Sequence, residues 1–84
     1  MSQKRAVPHF GEWKEIRSGF YTSTEGEYNA IIEYSDQSDR YWWAMFHSRT
    51  FGLDAVDAGC RLSLVAAQAD ANTALIAKHR EVSP

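Results

Sequence analysis

One cysteine, two prolines and five scattered glycines occur in the 84 residues, and each scarcity excludes something. The lone Cys60 has no partner for an internal disulfide and no neighbour for a metal knuckle, so it suits a reducing compartment and reads as a small apolar residue. The glycines form no phosphate-cradling loop. No apolar run approaches the ~20 residues that a bilayer-spanning helix requires, and the segment Met1 to Pro8 lacks the apolar stretch of a signal peptide. The expectation is a cytoplasmic protein with no membrane association.

Positive charge is also in short supply. Nine Lys and Arg stand against eleven Asp and Glu, for a net charge of −2 and a pI near 5.8. That balance gives no field to collect phosphates, which disfavours nucleic-acid binding. His9, His47 and His79 fall in separate segments without ligand spacing, so no metal or other cofactor is expected. Cys60 sits among apolar residues rather than in an electropositive setting, which argues against a nucleophile. Glu25 with Glu27, and Asp36 with Asp39, lie in turn-like segments and read as solvated. A chain of this length buries only about 60–65% of its unfolded surface, leaving little for a walled active site. No feature argues for an enzyme.

What the chain does have is apolar and aromatic material, 44% and 13% of its residues. Residues 1–9 are polar and contain Pro8, which predicts a flexible arm ahead of a single domain over 10–84. Phe10 to Tyr21 suggests a first strand with a bulge near Gly19. Tyr28 to Tyr34 and Arg40 to His47 read as two more, joined by the turn-rich Ser35 to Asp39. Beyond Gly52 the apolar period is helical, predicting one long helix from about Asp54 to His79. Asp54 and Asp57 approximate its capping box and Lys78, His79 and Arg80 complement its other end. Gly59 costs such a helix about 1 kcal/mol and marks a possible break. The expected fold is α+β: a three-stranded antiparallel β-meander followed by one long C-terminal α-helix packed on one face.

Strand alternation then assigns faces. Pairing Tyr34 with Trp42, Ile32 with Ala44 and Ala30 with Phe46 makes one face almost wholly apolar and hands it to the helix, whose small Ala67, Ala71 and Ala74 permit close approach. Tyr41, Trp43, Met45 and Ile31 are then left on the uncovered face, to be sheltered by Phe10 and Trp13 of the arm or by a partner. On the helix, Leu62, Val65 and Ile76 lie opposite the stripe that meets the sheet and form a second candidate partner-binding surface.

The order of three strands and an Ala-rich helix, with Tyr28 to Tyr34 leading into an aromatic return strand, resembles in layout the HicB-type antitoxin domain and the sheet-plus-helix half of double-stranded RNA-binding domains. The glycine-threonine segment of the former and the basic helix start of the latter are absent, so no residue roles transfer. The function expected is non-enzymatic protein binding by occlusion, with a foreign protein or a second copy as partner and flanking acids selecting a basic surface. Small size and acidity suit a phage or mobile-element inhibitor of the anti-CRISPR or anti-restriction kind. The alternatives are a homodimeric, antitoxin-like protein and single-stranded nucleic-acid binding on sheet aromatics such as Tyr41 and Trp43.

Overall fold

A computed structural model describes residues 8–50 and 54–82. Five antiparallel strands form one meander in chain order: β1 (Lys14–Arg17), β2 (Phe20–Glu25), β3 (Tyr28–Ser35), β4 (Arg40–His47) and β5 (Ala55–Arg61). A short 3-10 turn, Ser48–Thr50, follows β4, and one helix, α1 (Leu64–Val82), follows β5. The α+β class with an antiparallel sheet and a C-terminal helix is as expected, but the sheet has five strands rather than three. Residues 1–7 of the expected arm, and Phe51 and Gly52 at the expected change of period, lie outside the described residues.

The single first strand is in fact two. Gly19, at φ 78°, closes a turn that few other residues adopt without strain, so the chain reverses at Ser18-Gly19. The bulge lies three residues before it: Glu15 pairs with Tyr21 and Arg17 with Phe20, leaving Ile16 as the extra residue. A second tight turn follows β2, where Glu25 pairs with Tyr28 across Gly26-Glu27 and Gly26 takes φ 60° at the position that a type II′ turn reserves for glycine.

The larger correction is at 54–61, where the helix was expected to begin. Ala55–Arg61 is an edge strand paired with β4. A short stretch of small and apolar residues satisfies helical and strand periods alike, and here the tertiary setting decides. The backbone groups on the outer side of β4 need partners, and β5 supplies them. Gly59, a penalty in a helix, is required in this strand: a Cβ there would lie 2.9 Å from Trp43 Nε1 and 3.1 Å from Cε2. The helix starts instead at Leu64, where Ser63 Oγ accepts a hydrogen bond from the Ala66 N–H at 3.1 Å. Asp54 and Asp57 therefore cap nothing; Asp57 Oδ1 accepts from the Ala58 N–H.

The β3–β4 register differs from the expected one by a single residue. Ser35 pairs with Arg40, so Asp36 to Asp39 form a four-residue loop and the pairs are Tyr34 with Tyr41, Ile32 with Trp43 and Ala30 with Met45. Asp39 takes φ 56°, which aspartate tolerates better than most residues, and its N–H donates to Ser35 O at 2.7 Å. This slip turns β4 over. Trp43 and Met45, expected on the uncovered face, are 6% and 0% exposed and form the core with Ala30, Ile32, Ala67, Ala71, Ala74 and Leu75. The alanines bring α1 close to the sheet, as expected of them.

Phe10 and Trp13 pack against this same core, and the Phe10 N–H donates to Asn72 Oδ1 of α1 at 2.6 Å. The N-terminal segment thus runs on the helix side rather than across the other face. A polar clamp ties α1 to the sheet: Asp70 accepts from Trp43 Nε1 at 3.3 Å and from the Arg61 guanidinium at 2.6 Å.

Candidate binding face

Side chains alternate across a sheet, so the register defines its second face residue by residue. Four rows lie on it, read from β1 to β5: Arg17, Phe20, Glu33, Trp42 and Cys60; Lys14, Thr22, Ile31, Ala44 and Ala58; Thr24, Asn29, Phe46 and Ala55, which start at β2; and the short pair Ser35 and Arg40 on β3 and β4. None of these residues is buried, and every buried strand residue (Ser23, Ala30, Ile32, Trp43, Met45) belongs to the helix side. Trp42 is 48% exposed despite lying in the fourth of the five strands.

Polar groups on this face are largely engaged. Arg17 lies 4.4 Å over the Phe20 ring and 3.6 Å from Glu33, so one guanidinium spans two neighbouring strands. Thr24 Oγ1 donates to Asn29 Oδ1 at 2.9 Å, and Thr22 Oγ1 to Ala30 O at 3.2 Å. Trp42 Nε1 donates to Ser38 Oγ at 3.1 Å, which fixes the indole toward the β3–β4 loop. The row that starts at Lys14 is apolar from Ile31 to Ala58. Glu33 is the face's one carboxylate among the strand residues, set against Lys14, Arg17 and Arg40, so the acids expected to flank the binding surface are elsewhere; Glu15 pairs with Tyr21 on the helix side.

The residues singled out in the sequence fall in three places. Ile31 lies at the centre of the uncovered face. Tyr41, Trp43 and Met45 lie beneath or beside α1. Leu62, expected on the helix, lies instead in the bend between β5 and α1 and is 70% exposed, because the chain is still leaving the edge strand there; Val65, in the first turn of α1, is 75% exposed, and Ile76 is half-buried three turns further on. The uncovered aromatics are instead Phe20, Trp42 and Phe46. Alternation alone does not reveal this, because β4 is apolar on both faces; the signal was the length of the turn at Asp36 to Asp39.

Among the described residues, no three of His, Cys, Asp and Glu lie together as a metal site would require. An open depression of about 330 Å³ at the β2 edge is lined by Glu12, Lys14, Thr22, Ser23 and Thr24, with no nucleophile–base pair within it. No described helix is long and apolar enough to cross a membrane. Tyr34 is held above its ordinary pKa chiefly because its hydroxyl donates to Asp39 Oδ1 at 2.6 Å, and Tyr21 chiefly by desolvation, with Glu15 adding to the effect. Comparison with protein-family models, with curated proteins and with solved structures finds no match to this chain.

Proposed function

We propose that the protein is a non-enzymatic protein-binding module that works through the uncovered face of its sheet. The observation that carries this reading is the sidedness of the core: Phe20, Ile31, Trp42, Ala44 and Phe46 form a contiguous surface on which no side chain is buried. Trp42 is exposed and the other four are half-buried; contiguous apolar surface left outside the core marks interaction sites, and rigid aromatics supply contact area at low entropic cost. Binding is occlusion, in which a flat surface covers a complementary one on its partner. The mixed charge at the β1 edge selects no strongly basic or acidic partner, which departs from the inhibitor of basic surfaces expected from composition.

Single-stranded nucleic acid is the second reading. The observation favouring it is that Glu15 is on the other side of the sheet, which leaves Lys14, Arg17 and Arg40 beside three aromatics. Glu33 between Phe20 and Trp42 opposes it, since Arg17 is already committed there.

Immobilised protein exposed in parallel to its own free chain, to cell extract and to labelled oligonucleotides tests both readings. Protein retained by the wild type and lost from a folded Phe46→Glu variant supports protein binding. Retention of oligonucleotide alone, or retention unchanged in that variant, overturns it.

A further inference from the structure

We infer that the open edge of β5 takes up the same edge of a second copy, the two strands antiparallel about a two-fold axis that runs between their Gly59 residues, perpendicular to the sheet. The contact does not use the uncovered face, so it stands apart from the reading above.

The two edges of the sheet are built differently. β1 is four residues long, carries a bulge at Ile16 and exposes Lys14, Glu15 and Arg17, all features that turn an incoming strand away. β5 is seven residues long, has neither proline nor lysine, and ends the sheet with no described element paired to its outer side. The Ala58 N–H donates to the neighbouring Asp57 Oδ1 at 2.9 Å, so it points away from β4, and alternation turns the backbone groups of Cys60 outward with it. The ladder agrees. The Tyr34 N–H turns toward β2, to Gly19 O at 2.8 Å, which leaves Trp43 of β4 turned toward β5 and Gly59 toward β4.

Two independent features then select one register. The first is the extent of regular strand, from Asp57 to Arg61: Val56 is the unpaired residue of a bulge, and the chain bends at Leu62. Only pairing about Gly59 lays the whole of that stretch against its counterpart. The second is charge. Pairing about Gly59 sets Asp57 opposite the partner copy's Arg61 at both ends, Ala58 opposite Cys60, and Gly59 opposite Gly59, where no side chain intrudes. Pairing about Ala58 or Cys60 sets each charge against a neutral residue, and the intermediate registers turn outward groups against inward ones. Arg61 has donors for both roles: Asp70 takes Nη1 at 2.6 Å, and the guanidinium is half-exposed with further N–H groups free to meet the partner copy's Asp57. Ala58 and Cys60 exchange both of their backbone hydrogen bonds with the partner copy, as in any strand addition.

Sedimentation equilibrium of the full chain from about 1 to 500 μM tests the inference, with circular dichroism as the check on folding. The ladder is short, so the expected result is a monomer–dimer equilibrium with a Kd on the order of 100 μM. Ala58→Pro removes an outward N–H that β4 does not use, keeps the fold, and weakens association at least tenfold. Asp57→Lys weakens it to a similar degree by setting like charges opposite each other, whereas Glu12→Lys, the same charge change near the far edge, leaves it unchanged. Amide exchange in the wild type needs no variant: it slows at Ala58 and Cys60 as concentration rises.

A wild-type monomer at 500 μM, or exchange at Ala58 and Cys60 that is independent of concentration, overturns the second copy. A dimer that survives Ala58→Pro overturns this edge, and one that responds equally to Asp57→Lys and Glu12→Lys overturns this register. The uncovered face is read separately, by repeating the retention assay and its Phe46→Glu comparison in the Ala58→Pro chain, which takes up no free copy through β5.

Discussion

Gly59 shows how one side chain's absence decides a local structure. The indole of Trp43 lies across it, with Nε1, Cε2 and Cζ2 all within 3.2 Å of where a Cβ would stand. Gly59→Ala drives the indole aside and lengthens its bond to Asp70, and should cost about 1–3 kcal/mol in chemical denaturation. Ser23 presents the reverse case, a buried hydroxyl with no hydrogen-bond partner. Ser23→Ala removes an unpaired polar group for the loss of one atom, so the variant should be more stable, by roughly 1 kcal/mol, with its midpoint moved upward. Tyr34 carries a pH prediction. Its folded pKa is raised, so the neutral phenol is the form that folding favours. That contribution is complete below the ordinary value of 10.0 and is lost as pH rises through the folded value. Asp39→Asn keeps a residue tolerant of positive φ but removes the charge. In the variant, the tyrosinate absorbance titration should therefore move back toward 10.0.

Among the elements, α1 depends on its cap. Ser63 satisfies the Ala66 N–H with its side chain, and its carbonyl accepts from Ala67 at 3.0 Å. Ser63→Ala should cost about 1 kcal/mol, measured as a fall in thermal midpoint with the helical signal of the folded state unchanged. Much of this helix was legible in the sequence: the Ala67–Ala71–Ala74 stripe packs as its spacing implies, and His79 and Arg80 occupy the last turn. Its beginning was not legible, because Ala55 to Arg61 carries no residue that forbids a helix; the Trp43 ring and the unpaired edge of β4 exclude one. The β3–β4 hairpin was equally readable in its existence and unreadable in its register. Arg40 to His47 has bulky apolar residues at odd and even positions alike, so hydrophobicity leaves the two faces equivalent. The four-residue loop with Asp39 in the left-handed region then sets which one faces the helix.

For the molecule as a whole, the sheet's two sides have different energetic roles. Met45→Ala, on the helix side, removes a fully buried side chain and should lower stability by about 3 kcal/mol. Trp42→Ala, one ladder position from Trp43 but on the other face, should change the stability of the isolated chain by less than about 1 kcal/mol while weakening association. Denaturation at low protein concentration, set beside a binding isotherm, separates the two effects. A single helix and the Phe10–Trp13 segment both pack on one side of the sheet and leave the strand side chains of the other side unburied.

Residue types and their order along the chain set the class of this protein: strands first, an Ala-rich helix last, and more apolar residues than one small core takes up. Those conclusions depend on residue type and local spacing. Tertiary structure alone decided which apolar residues are surplus. A one-residue shift in strand pairing exchanges every side chain between faces, and the pairing depends on turn geometry and on the fit of Trp43 over Gly59, contacts between residues far apart in the chain.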